Sequence, residues 1–175
     1  LRQLTLSRSL IGTVPTGIGA LEELRELALA ETGIRALPES IGHLTKLESL
    51  EIGDNVHLTT LPSSIGALTS LRVLRFSPHY SAKKPVVLPP EVAKLPLEVL
   101  TLAYAHLTEI PAPVFALGSL VELNLLNNAI RYDARAFKRL AKLSSLKTLL
   151  LQRNSELTPR LREIRAMLPG VKVSG

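Results

Sequence analysis

The stretch from Leu24 to Lys46, LRELALAETGIRALPESIGHLTK, decides the reading of the whole chain. Its apolar residues fall at Leu24, Leu27, Leu29, Ile34, Leu37, Ile41 and Leu44, with Pro38 directly after Leu37. Leu27 and Leu29 alternate with their neighbours, the period of a short strand that buries one face. Ile41 and Leu44 are spaced i,i+3, as in a short helical or 3₁₀ segment. The proline between these pieces fixes φ and supplies no N–H, so it starts a helical turn but cannot continue a ladder. A unit this small cannot bury its own leucines. Copies on either side must cover them, and stability becomes a sum of nearest-neighbour terms.

The copies are there. Aligned on the first leucine, seven units begin at Leu1, Leu24, Leu47, Leu71, Leu97, Leu120 and Leu146. Self-similarity at a period of about 20 to 29 residues marks a repeat architecture and overrides the reading of any one element. An apolar-Pro pair recurs at Val14-Pro15, Leu37-Pro38, Leu61-Pro62, Leu88-Pro89 and Ile110-Pro111. The tract LPESIGHLTKLESLEIGDN (37–55) closely resembles the LPxxIGxLxxLxxLxLxxN form of the leucine-rich repeat family. That resemblance extends over essentially all seven units. It implies an α/β fold: a curved, right-handed solenoid with a parallel sheet on its concave side and short 3₁₀ or α segments on its convex side.

Two units break the rhythm. In unit four, SPHYSAKKPVV (77–87) separates Phe76 from Leu88-Pro89, and its prolines, serine and lysines predict a surface loop. Unit six lacks the apolar-Pro pair. There Asp133, a good N-cap, precedes Phe137, Leu140 and Leu143 at helical spacing, which predicts a helix of about ten residues. In unit seven, Pro159 to Leu168 predicts a second helix, Gly170 its stop, and Val171 and Val173 a final strand, so 159–175 reads as a C-terminal cap on a single repeat domain. The first unit has no such cover, and an N-terminal cap is expected outside the chain, which is taken as a piece of a longer protein.

At the turn after each strand, Asn55, Asn128 and Asn154 are placed to satisfy backbone groups beside the core, where an unpaired one costs about 1–3 kcal/mol. Ser9 and Thr32 substitute in part; Ala105 cannot, and a looser turn is expected there.

Composition narrows the function. With no cysteine there is no disulfide, no thiolate nucleophile and no Cys-based zinc site. No apolar run approaches the roughly 18 residues of a membrane span. His57, His79 and His106 lie near turns along one edge, but at about 4.8 Å per strand His57 and His106 are roughly 10 Å apart, too far for a shared metal. The acids Glu31, Glu48, Glu51 and Asp54 cluster with no histidine or activated nucleophile facing them, and no Gly-rich phosphate loop or Ser-His-Asp arrangement can be assembled. Neither catalysis nor a cofactor or metal is expected of this segment.

What remains is a surface. Strand residues pointing away from the core read Gln3, Glu26, Ser49, Val73, Val99, Glu122 and Thr148 in one row and Thr5, Ala28, Glu51, Arg75, Thr101, Asn124 and Leu150 in the next. Mixed acids, an arginine, an aromatic and apolar residues are what interface centres favour. Glu26, Glu51, Asp54, Arg75, Tyr80, Tyr104, Glu122 and Asn124 are the candidate residues for binding a protein partner, by a monomer and without a small-molecule substrate. The net charge of +6 is uneven: residues 1–130 hold 10 Lys+Arg and 12 Asp+Glu, a balance of −2, against 11 and 3, or +8, in residues 131–175. Arg135, Lys138, Arg139 and Lys142 form a stripe on the first predicted helix, with Arg160, Arg162 and Arg165 on the second. The alternative function is therefore an adaptor docking these helices on an acidic partner, a membrane or nucleic acid, although the stripe lacks aromatics for base stacking.

The proline register, the absence of cysteine-paired caps and the Ala- and Arg-rich makeup are similar to repeat domains of bacterial type III effectors. That likeness implies the target-selecting part of a larger protein, in the cytoplasm or secreted into a host cytoplasm.

Overall fold

In the computed structural model, which describes residues 1–175, the leucine spacing becomes one open parallel sheet. Its eight three-residue strands stand in chain order: β1 Gln3–Thr5, β2 Glu26–Ala28, β3 Ser49–Glu51, β4 Val73–Arg75, β5 Val99–Thr101, β6 Glu122–Asn124, β7 Thr148–Leu150 and β8 Lys172–Ser174. The middle residue of each strand points to the core, Leu27 through Leu149 and Val173 buried in it and Leu4 partly buried against it, and all eight middles stack in one register row. Every crossover returns through the convex side, so neighbours in sequence are neighbours in space.

Five crossovers contain a five-residue 3₁₀ segment: Thr16–Ala20, Glu39–His43, Ser63–Ala67, Pro90–Lys94 and Ala112–Ala116. The recurrent proline sits just before each one, in extended backbone, and its carbonyl accepts the first turn's hydrogen bond, as Pro38 does from the Ile41 N–H at 3.0 Å. A residue without an N–H suits this place because no partner would be available for one. Unit six replaces the 3₁₀ segment with helix α1, Ala134–Leu140, whose N-cap Asp133 accepts from the Arg135 N–H. Helix α2, Leu161–Met167, follows a 3₁₀ turn over Thr158–Arg160. Both helices have seven residues, shorter than the spacing predicts. Lys142 thus lies beyond the end of α1 and does not extend its stripe.

A single cluster of 45 buried residues runs through every unit. Leu29, Ile52 and Phe76 lie in it side by side, each at zero exposure, at the same register of consecutive units. Beside them runs a polar spine. The Asn55 amide donates to the carbonyls of Leu29 and Ile52, and its oxygen accepts from the N–H groups of Thr32 and Ile34. Asn154 likewise joins Leu125 and Leu151 to Ile130. The turn at Ala105 is not loose. Asn128, one unit on, donates to Leu102 O and accepts from Leu107 N, and Ala105 itself is sealed from water. Each asparagine serves the preceding unit as well as its own, so a missing one is covered from behind.

Candidate functional site

The outward strand residues form two continuous rows on the concave face, one from Gln3 to Lys172 and one from Thr5 to Ser174. Glu51 and Arg75 are direct register partners in the middle of the second row. Both are exposed, and neither takes part in an ion pair. Val73 and Val99 sit half-buried beside them. Glu26 stands on β2 and Glu122 on β6, four strands apart and so separated by about 19 Å. Asn124 is partly committed already, because its side-chain oxygen accepts from the Leu126 N–H.

Directly past the strands, the backbone turns through the left-handed region at Arg8, Glu31, Asp54, Tyr104, Asn127 and Arg153, with φ between 54° and 64°. This conformation lets each N–H extend the ladder to the next unit, as from Glu31 to Gly53 O and from Tyr104 to Leu126 O. Asp54 and Tyr104 thereby project from the sheet's C-terminal edge. Unit four has Pro78 at this position. Proline can neither adopt positive φ nor donate, so the turn cannot form, and the chain departs into the 77–87 loop.

The loop is tied down. Ala82 and Val86 are buried, the Val86 N–H donates to Ala105 O, and the Val87 N–H donates to Thr59 O. Tyr80, 73% exposed, lies against His79, their rings 4.1 Å apart. Tyr80 and Tyr104 come together in a recess of about 210 Å³ with His106 and Asn127. A second recess, of about 430 Å³, lies on the same flank between Arg35, His57 and the loop lysines. These residues are not at matching positions of their units, and it is the path of the loop that brings them together. No group of three or more histidine or acidic side chains is placed to hold a metal ion.

Of the seven basic side chains predicted on the C-terminal helices, three are engaged with the protein itself. The Arg139 guanidinium lies over the Phe115 ring at 3.9 Å, Arg160 reaches Glu163 at 3.5 Å, and Arg165 donates to Val173 O. The Tyr132 hydroxyl donates to Glu163, which pushes the Tyr132 pKa above its ordinary value. No helix is long and apolar enough to cross a membrane.

This architecture is that of a leucine-rich repeat solenoid. Residues 1–87 match the family described as "Leucine-rich repeat region". A leucine-rich repeat protein of Leptospira interrogans superposes with a TM-score of 0.80 at 28% identity, over 99% of this chain and 42% of that one. The TDR receptor gives 0.72 at 28% identity, over 99% and 30%. An internalin of Listeria monocytogenes gives 0.74 at 21% identity, over 99% and 47%, a likeness of fold alone. The chain spans less than half the length of each of the three. No curated protein matches the sequence at a significant level. Fold and repeat motif together define a leucine-rich repeat solenoid, with the family match carried by residues 1–87.

Proposed function

We propose that this chain is a recognition module that grips a protein partner on its concave face and performs no chemistry of its own. The observation that carries this is the unpaired, exposed Glu51–Arg75 register pair beside half-buried Val73 and Val99. Opposite charges in register that make no ion pair with each other are free to bind groups from outside, and apolar neighbours add desolvated area. The similarity to the TDR receptor supports a role in recognition. Glu26, Asp54, Tyr104, Glu122 and Asn124 flank the centre, and Tyr80 extends it past the sheet edge. On this reading residues 159–175 cap the solenoid, and the module selects the target of a larger protein. Its composition supports an effector acting in a host cytoplasm.

For a partner in hand, Glu51→Arg is expected to weaken the complex by about 1 kcal/mol or more, with an unchanged circular dichroism spectrum. Unchanged affinity after reversing both Glu51 and Arg75 rules out this face. Affinity that survives those changes but collapses between low and moderate salt moves the site to the basic helices.

A further inference from the structure

The recess between units two, three and four has an unbalanced electrostatic character. Arg35 enters it from unit two, His57 and Thr59 from unit three, and Lys83 and Lys84 from the inserted loop. No carboxylate lines it, and none of the three permanent cations takes part in an ion pair anywhere in the protein. Like charges brought together without a counter-charge repel one another, and the repulsion is relieved when an anion arrives. The loop that delivers the lysines is held from both sides, by Val87 N–H to Thr59 O and Val86 N–H to Ala105 O, with Ala82 and Val86 buried beneath it. The two lysines therefore sit on a short span between fastened points at Ala82 and Val86. Thr59 adds a hydroxyl donor to the lining.

We propose that this recess binds a phosphoryl group carried on a protein segment. A phosphoryl group offers nearly two negative charges and three acceptor oxygens near neutral pH, a match for guanidinium, ammonium and hydroxyl donors converging from different directions. Two features favour a protein-borne group over a free anion. The lining cations are exposed, so the recess covers one side of its ligand and suits one group of a larger body. The same loop also supplies Tyr80 to the neighbouring aromatic recess with Tyr104, where an apolar side chain flanking the phosphorylated residue would rest. The proposal does not depend on what occupies the face around Glu51 and Arg75.

The test is an NMR titration of the whole chain at constant ionic strength. The probes are inorganic phosphate, the peptide acetyl-Ala-Leu-phosphoSer-Leu-Ala-amide, its unphosphorylated form and an oligothymidylate. Phosphate is expected to shift the amides of Arg35, Thr59, Lys83 and Lys84. The phosphopeptide should bind about tenfold more tightly and move Tyr80 and Tyr104 as well, while the unphosphorylated peptide does nothing. Joint Lys83→Gln and Lys84→Gln substitution should weaken both ligands about tenfold, and Tyr80→Ala the peptide alone. Phosphate shifts that are equally strong along residues 135–165 would overturn the site as general electrostatics. A phosphopeptide no tighter than phosphate would overturn the protein-borne group, and an oligothymidylate that binds the same amides at least as well would replace it with nucleic acid.

Discussion

Asn55 illustrates how much of this fold rests on single residues. It is fully buried, and its one amide group holds two carbonyls and two N–H groups of two successive units. Asn55→Ala strips this partner from the Ile52 carbonyl and from the Thr32 and Ile34 N–H groups, while the Leu29 carbonyl keeps the Thr32 hydroxyl. Because buried polar groups cost about 1–3 kcal/mol each and relax together, a loss of about 3 kcal/mol is expected. Urea unfolding of the variant measures it, and a loss under 1 kcal/mol would mean water replaces the amide. The asparagines were legible as turn residues in the sequence, because their spacing from the strand leucines is constant. Their backward reach was not, because the partner carbonyls lie some 26 residues away, as with Asn55 to Leu29. This is why Ala105 reads as a weak point and is none.

Among the elements, the convex 3₁₀ segments stack more closely than side chains allow. A Cβ on Gly42 would lie 2.8 Å from both the carbonyl oxygen and the Cβ of Ser64 in the next unit. Gly42→Ala is therefore expected to destabilise by about 1–3 kcal/mol by forcing the segments apart. Gly17→Ala, in the first unit's segment with nothing within 4 Å, is the control and should change the melting temperature little. Strands, prolines and 3₁₀ segments were readable because each carries a periodic signature. The helices proved shorter, since apolar spacing continues past the α-helical turns into i→i+3 bonded ones: Leu143, buried three residues after α1 ends, donates to Leu140 O. The loop at 77–87 was visible as an interruption, and its cause is a single backbone position. Where six other units turn left-handed, Pro78 cannot.

Across the whole molecule, ion pairs join successive units along the surface, Arg25 to Glu48, Arg72 to Glu98 and Lys46 to Glu23. The Lys46 ammonium, by hydrogen bond and then by charge, lowers the Glu23 pKa below the ordinary carboxylate value. A depressed folded-state pKa contributes stability that is present above the unfolded value and lost as pH falls through the folded one. Acidification below the ordinary carboxylate range should thus loosen the contact between units one and two, and Lys46→Gln should flatten that part of the acid-unfolding curve. The pair is solvated, so the effect is small and weakens with salt. The concave candidates were readable as a surface because strand alternation fixes which residues face outward. The flank was not, because its recesses depend on how a loop crosses two neighbouring turns. The way that loop is fastened has one more consequence. Its anchors lie at Ala82 and from Val86 onward, so Lys83, Lys84 and Pro85 span a gap that no backbone bond crosses. A chain severed between the two lysines would keep both fragments clasped along the β4–β5 pairing and the Thr60–Val87 bridge, making this the natural point for new termini or a split reporter.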